Sequence, residues 1–133
     1  MSRFLAVITV LGLGACAGDE TATAYGAAEK VWVLQELHGS KASDIATLTF
    51  PAPGHIAGTA PCNSYNAGMK APYPWFDAGP IAATRRACPA LQAETGFFAA
   101  LDAATQIEVS GDTLILTDDD GRQMVFTAAP DGD

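Results

Sequence analysis

The amino-acid sequence predicts an α+β domain in which an antiparallel sheet carries one main helix, at about residues 89–104, and a C-terminal β-meander. Short runs rich in β-branched and aromatic residues, separated by turn residues, fill the first half of the chain. One segment with the apolar period of a helix comes late, and three more strand-like runs follow it. Strands first, then one helix, then neighbouring strands is the pattern of an antiparallel α+β domain and not of alternating β-α units.

Size and charge limit the classes of function. A chain of 133 residues is the length of a single domain. Its formal net charge of -8 argues against a nucleic-acid partner, because such partners require a basic surface. We expect no nucleic-acid binding, and we interpret the acidic surface as one that keeps a monomeric, exported protein soluble.

The N-terminus has the layout of an export signal. Arg3 is followed by an apolar run over residues 4–13 and then by small residues. This run is about half the length that a membrane-spanning helix needs. Leu13-Gly14-Ala15-Cys16 resembles the lipobox of bacterial lipoproteins, which predicts a signal peptide at 1–15 and a lipid-modified Cys16. The alternative is ordinary cleavage after Ala17, which would release a soluble periplasmic protein.

The cysteine count predicts one disulfide. Cys16 is either acylated or discarded, so Cys62 and Cys88 remain as a pair in an oxidising compartment. Closing a loop of about 27 residues stabilises a fold by roughly 3 to 4 kcal/mol. A metal site with His38 and His55 does not have the spacing of zinc ligands, and a nucleophilic cysteine needs an unpaired thiolate. We therefore expect no metal, no cofactor and no catalytic residue.

The chain before the sheet is small and polar, so residues 16–29 are predicted to be a flexible tether and the folded domain to span 30–128. A tail at 129–133 is expected to fray. The first strand, 31–37, should bury Trp32 and Leu34. The other predicted strands are 46–50, 55–60, 106–109, 113–117 and 122–127, whereas 65–76 is predicted to be an edge strand or a loop because of its prolines.

The helix is predicted to begin at Pro89, where the missing N–H of proline is harmless. Leu91, Phe98 and Leu101 share one face of its 3.6-residue period, so we expect this face to be buried. The expected large core residues are Trp32, Phe50, Phe97, Phe98 and Phe126.

Six short motifs occur in a fixed order along the chain. They are Trp32-x-Leu34, Ala46-Thr47-Leu48-Thr49-Phe50, the run from Gly58 through Cys62-Asn63-Ser64-Tyr65, the run from Gly79 through Thr84-Arg85-Arg86-Ala87-Cys88, Glu94-Thr95-Gly96-Phe97 and Gly111-Asp112-Thr113-Leu114. Together they resemble the META domain, the family of HslJ-like heat-shock and envelope lipoproteins. The most specific part is the pair of cysteine motifs followed by a helix.

This resemblance implies a sheet curled into a half-barrel or cone around the helix, in an envelope protein that is often a lipoprotein. The family motif residues are Trp32, Cys62, Asn63, Tyr65, Thr84, Arg85 and Cys88, and the resemblance implies no catalytic residue. Pro61 stands where the family usually has glycine, and Arg86 where it usually has methionine. The first difference predicts a stiffer turn before Cys62, and the second places a charge where an apolar side chain is usual.

The expected function is a non-catalytic binding or stress-tolerance module of the bacterial envelope. Cys16 would hold it to a membrane by lipid, on the periplasmic face of the outer membrane, where an envelope protein is its possible partner. One alternative is a half-barrel carrier of a small hydrophobic or lipid ligand, with a cavity lined by Trp32, Phe50 and Phe126. Another is a soluble periplasmic enzyme, which would need His38 or His55 beside a carboxylate.

Three polar groups have two interpretations each. Asn63 and Tyr65 could contact a ligand, but beside a disulfide they are expected to satisfy buried backbone groups. Arg85 and Arg86 could bind an anionic headgroup or partner, although ion pairs with nearby acids are the expected use. The run of aspartates at 118–120 could suggest calcium, but it lacks the alternating acids of a calcium loop and predicts a solvated turn.

Overall fold

The computed structural model describes residues 22 and 26–130. The predicted signal peptide, Cys16 and the end of the tail, 131–133, lie outside the described residues. Within them the chain forms nine strands and one helix, in the order β1 (Trp32–Leu37), β2 (Ser40–Lys41), β3 (Thr47–Ala52), β4 (His55–Thr59), β5 (Ser64–Gly68), β6 (Ala82–Ala83), α1 (Leu91–Ala103), β7 (Ala104–Ser110), β8 (Thr113–Asp118) and β9 (Gln123–Ala128). No helix in this part of the chain is both long enough and apolar enough to cross a membrane.

All strands belong to one antiparallel sheet in the order β6-β5-β4-β3-β1-β9-β8-β7, and β2 pairs beside β1. The first and last long strands meet in its centre, where Trp32 lies opposite Ala128. The β7-β8-β9 meander forms the C-terminal part, as predicted. The predicted α+β class and the curled, half-barrel sheet with one main helix are confirmed.

Residues 69–79 connect β5, which lies next to the end strand β6, with β7 at the other end of the curled sheet. At one end the amide of Gly79 donates to the carbonyl of Gly68 (2.8 Å), on β5. At the other end the amide of Ile107, on β7, donates to the carbonyl of Pro74 (2.8 Å). Prolines cannot donate to a sheet ladder, so this segment contributes single bridges and carbonyl acceptors instead of a full strand.

The core is a single apolar cluster beneath the sheet and against the helix. Four of the five expected aromatic residues are buried in it, whereas Phe98 is only half-buried. Phe76, from the bridging segment, is a buried aromatic that the strand pattern did not predict. The largest fully buried side chains are those of Trp32, Phe76, Phe97, Phe126, Leu48, Ile56, Met69, Leu101, Ile107, Leu114, Leu116 and Met124.

The helix begins at Leu91, two residues later than predicted. Its buried face consists of Glu94, Phe97, Ala100 and Leu101. The prediction that Leu91 belongs to this face is wrong, since its side chain is 45% exposed. The buried face is centred on Phe97 and Leu101, and at 3.6 residues per turn Leu91 lies about a quarter turn away from it.

The folded domain begins before Lys30, so the predicted tether is too long at its C-terminal end. Ala22 and Ala27 are fully buried, and the indole Nε1 of Trp32 donates to the carbonyl of Ala27 (3.1 Å). A buried indole N–H needs an acceptor, and the polar segment before β1 supplies it.

Candidate functional site

Cys62 and Cys88 form the predicted disulfide, with their Cα atoms 5.7 Å apart. It joins the turn before β5 to the segment that precedes the helix. Two segments distant in sequence therefore meet here, and the residues around the disulfide determine how they are held together.

The side chain of Asn63 takes the place of a backbone peptide next to the β5-β6 ladder. Its Oδ1 accepts from the amide of Arg86 (2.6 Å), and its Nδ2 donates to the carbonyl of Arg86 (3.0 Å). The Thr84 hydroxyl donates to the same Oδ1 (2.9 Å) and accepts from the amide of Ser64 (3.2 Å). Asn63 and Thr84 thus satisfy backbone and side-chain groups of the fold, as predicted for Asn63.

Glu94 is a buried carboxylate, 4% exposed, that reaches from the helix to the disulfide turn. Its Oε1 accepts from the amides of Cys62 (3.0 Å) and Asn63 (2.8 Å), and its Oε2 accepts from Nδ2 of Asn63 (2.7 Å). Its place in the first turn of the helix also suits a negative charge. We call Cys62, Asn63, Thr84, Cys88 and Glu94 the disulfide bracket.

Sequence reasoning missed the role of Glu94, which appeared there only as part of the Glu94-Thr95-Gly96-Phe97 motif. The available signal was a lone carboxylate among the apolar positions of the helix, because a charge is buried only where it has hydrogen-bond partners. No buried side-chain nitrogen or oxygen in the described part of the chain lacks a partner.

Tyr65 also has a structural contact. Its hydroxyl donates to the carbonyl of Thr47 (2.6 Å), and burial raises the pKa of the phenol well above its ordinary value. Its ring packs edge-on against Phe97 and Phe98, with centroids 5.6 and 5.5 Å away. A Cβ on Gly58 would come within 2.9 Å of the Tyr65 hydroxyl and overlap the Thr47 carbonyl, so only glycine fits this close approach of two strands.

Arg85 and Arg86 are exposed and lie in sequence between Thr84 and Cys88 of the disulfide bracket. Neither guanidinium forms an ion pair with any residue that the structure describes, so the predicted pairing with nearby acids is wrong. The carboxylate of Glu94, in the same disulfide bracket, faces inward, and its oxygens already accept from the disulfide turn.

Trp32, Phe50 and Phe126, which would have lined a carrier cavity, are buried members of the apolar core. An open hollow of about 240 Å³ lies elsewhere, between the helix and the β1-β2 hairpin. Pro61 is part of its wall. The hollow is lined by Leu34, Leu37, Ser40, Lys41, Ala42, Ser43, Asp44, Ala46, Pro61, Ala93, Gly96 and Phe97.

The other candidate polar residues lie apart from the disulfide bracket. His38 is exposed in the turn between β1 and β2, and His55 is exposed at the start of β4. Across residues 26–130, no group of three histidine, cysteine or acidic side chains is placed to hold a metal ion.

Asp118 organises the turn between β8 and β9. Its Oδ1 accepts from the amides of Asp120 and Arg122, both at 2.9 Å, and its Oδ2 accepts from Nε of Arg122 (2.8 Å). Desolvation raises the pKa of this carboxyl, but the hydrogen bonds from Arg122 and Asp120 outweigh it and leave the pKa below its ordinary value. The aspartate run therefore forms a hydrogen-bonded turn.

Comparison with known proteins identifies the family. Residues 26–131 match the model of the META domain. An NMR structure of a protein from Burkholderia xenovorans is 23% identical, with a TM-score of 0.63, over 88% of this chain and 94% of that one. A crystal structure of a DUF4847 family protein from Bacteroides vulgatus is 13% identical, with a TM-score of 0.66, over 82% and 98% of the two chains.

These two structures share the fold of this chain, and their low identity supports no more than that. No curated protein matches the sequence significantly. The family match covers most of the chain and includes both cysteine motifs, the helix and the meander. The chain therefore belongs to the META domain family.

Proposed function

We propose that this chain is a lipid-anchored envelope protein whose META domain acts as a binding module for a protein partner and catalyses no reaction. The observation that carries the proposal is the contrast, around the disulfide, between polar side chains that hold the fold and charged side chains that face outward. The polar atoms of Asn63, Thr84 and Glu94 are hydrogen-bonded to the backbone and to each other. Arg85 and Arg86, in contrast, remain exposed. A rigid support that presents unpaired charge suits recognition of a partner.

The sequence supports the location. Its signal-like start, the lipobox ending at Cys16 and a cysteine pair that forms a disulfide are features of exported proteins. In this proposal Cys16 carries the lipid, the domain stands on the periplasmic face of the outer membrane, and the protein is a monomer. A soluble periplasmic form is the alternative.

Membrane fractionation tests the anchor. Cys16→Ser should move the protein from the membrane to the soluble fraction, because a serine cannot be acylated on sulfur. Ala17→Ser is the matched control, since it changes the neighbouring residue and leaves the cysteine in place. Retention of the Cys16→Ser protein in membranes would contradict the lipid anchor.

A carrier of small apolar molecules is the second candidate, and the 240 Å³ hollow beside the helix favours it. Its apolar wall includes Leu34, Leu37 and Phe97. The hollow is smaller than most ligand pockets, which measure about 300–1,000 Å³, so it ranks below the binding module.

One experiment separates the two candidates. The mature chain is crosslinked in intact envelopes, and a second sample is purified and examined by native mass spectrometry. A binding module should give a discrete protein adduct and no retained small molecule. A carrier should retain an apolar molecule that Gly96→Leu displaces, since a side chain at Gly96 meets no atom within 4 Å and would fill the hollow. Ala99→Leu, on an exposed position of the same helix, is the control.

A further inference from the structure

One margin of the sheet is open at residues 81–86, which we call the arginine edge. β6 is the last strand of the sheet, and no strand in the described part of the chain pairs with its outer side. Every residue from Ala82 to Arg86 is exposed. The other end of the sheet, at β7, is partly covered by the bridging segment, where Trp75 lies opposite Gln106. The arginine edge is thus the more accessible of the two margins.

The inward hydrogen bonds of the arginine edge fall on alternate residues. Thr84 donates from its amide to the carbonyl of Ser64 (3.0 Å), and the amide and carbonyl of Arg86 both bind the side chain of Asn63. Ala82 lies opposite Asn66 in the same register. Residues 82, 84 and 86 therefore direct their backbone groups toward β5.

The residues between them direct theirs outward. In an antiparallel ladder, residues that exchange hydrogen bonds with a neighbouring strand alternate with residues whose N–H and C=O point away from it. Ile81, Ala83 and Arg85 are the second kind, and their backbone groups have no hydrogen-bond partner among the described residues. Three such residues spaced by two are a template to which a further strand can add.

The charge of this margin is distinctive. Arg85 and Arg86 are the only adjacent pair of cationic residues in a chain with a net charge of -8. Because Asn63 clamps the backbone of Arg86 and the disulfide holds Cys88, both guanidiniums extend from a fixed support. A partner that places carboxylates here would find two unpaired cations.

A shallow hollow of about 280 Å³ lies against the same ladder and could accept a side chain of an added strand. It is lined by Ser64, Tyr65, Asn66, Ala82, Ala83 and Thr84.

We propose that the arginine edge binds an extended, acidic segment of a protein partner, which adds to β6 as a further strand of the sheet. The outward backbone groups of Ile81, Ala83 and Arg85 supply the ladder, and the two guanidiniums select carboxylates at its end. This inference rests on the proposed function, because it names the surface and the partner chemistry of the binding module.

Two other occupants fit less well. A second copy that added its own β6 to this margin would bring the same two arginines with it, so cations would face cations along the ladder. An anionic lipid surface would contact the guanidiniums but would leave the outward N–H and C=O groups without partners.

Selection from a random 12-residue peptide library, with the mature chain as target, tests the inference. We expect enriched peptides to carry Asp or Glu and to bind more weakly as salt is raised. Arg85→Glu combined with Arg86→Glu should weaken binding of an enriched peptide roughly tenfold or more, since two attractive pairs become repulsive. Ala83→Pro should weaken it roughly fivefold by removing one outward N–H, and Ala83→Val should change it less than about twofold.

The variants separate the possible outcomes. Proline is tolerated on the outer side of an edge strand, and circular dichroism with the thermal midpoint shows whether Ala83→Pro has kept the fold. Loss of binding in the folded Ala83→Pro and arginine variants supports the inference. If the enriched peptides bind these variants as tightly as they bind wild type, the arginine edge is not the binding surface, although a binding module elsewhere on the domain would remain. Failure to enrich any peptide, or arginine-dependent binding only to phosphatidylglycerol vesicles, would also overturn it.

Discussion

Glu94 and Asp118 use the same hydrogen-bonding scheme in two different parts of the molecule. In each, one carboxylate oxygen accepts from two backbone amides and the other accepts from a side-chain N–H. The partners of Asp118 lie two and four residues away, at the tip of an exposed hairpin. The partners of Glu94 lie 31 and 32 residues away, in the interior beside the disulfide.

The difference shows what each carboxylate does for the fold. Asp118 shapes a turn that the adjacent strands already bring together, and its ion-pair partner Arg122 is half exposed to water. Glu94 ties the helix to the turn before β5, two elements that local geometry does not join. Asp118 therefore stabilises a local turn, whereas Glu94 positions the segment from which the arginines extend.

Removing the disulfide should give the largest loss of unfolding free energy. It should loosen the region around Glu94 and leave the Asp118 turn unchanged. We expect the double variant Cys62→Ala, Cys88→Ala to lose about 3.5 kcal/mol of unfolding free energy, since a loop of this length becomes free in the unfolded chain. Urea unfolding of oxidised wild type and of the variant measures it. Amide exchange at Asp120 and Arg122 below the unfolding transition is the control and should not change. A loss below about 1 kcal/mol would contradict the prediction.

Glu94→Gln should give the next largest effect. The glutamine oxygen can still accept from the amides of Cys62 and Asn63, but its Nε2 then faces Nδ2 of Asn63, so two buried donors oppose each other. We expect a loss of about 2 kcal/mol. Rotating the amide of Asn63 gives no relief, because its Oδ1 already accepts from Arg86 and Thr84.

Chemical denaturation of Glu94→Gln beside Glu108→Gln checks this prediction. Glu108 is exposed on β7, and the same chemical change there should cost less than about 0.5 kcal/mol. Equal losses in the two variants would show that the buried contacts of Glu94 contribute nothing special.

The same contrast explains how much could be predicted from the sequence. The strands, the helix and the aspartate turn were predictable because their signals are local, such as the run of β-branched and aromatic residues after Lys30 and the run of aspartates at 118–120. The disulfide followed from counting cysteines. The partners of Glu94 were not predictable, because nothing near it in sequence indicates a turn more than 30 residues upstream. The error about Leu91 is of the same kind, since the face that the helix buries depends on elements distant in sequence that pack against it.

Asp118→Asn should be milder than Glu94→Gln. Asparagine keeps an oxygen that can accept from the amides of Asp120 and Arg122. Its Nδ2 then faces Nε of Arg122, but that guanidinium is half exposed and can turn to water. Surface ion pairs contribute little to stability. We expect faster amide exchange at the tip of the hairpin and a smaller fall in unfolding free energy than for Glu94→Gln, both measured on the same preparations. A fall as large as that of Glu94→Gln would remove the distinction between the two carboxylates.

The dependence on pH gives the smallest effect and isolates the charge of Asp118. Its pKa is lower in the folded state than the ordinary value of about 3.9, which an unfolded chain would show. A lowered folded-state pKa means that the ionised turn stabilises the fold fully above about pH 4, and that this contribution is lost as the pH falls through the folded-state value. The difference in unfolding free energy between wild type and Asp118→Asn should therefore be constant from pH 7 to about 5 and shrink on further acidification. A difference that stays constant to pH 2, or grows, would show that Asp118 acts only through its neutral hydrogen bonds.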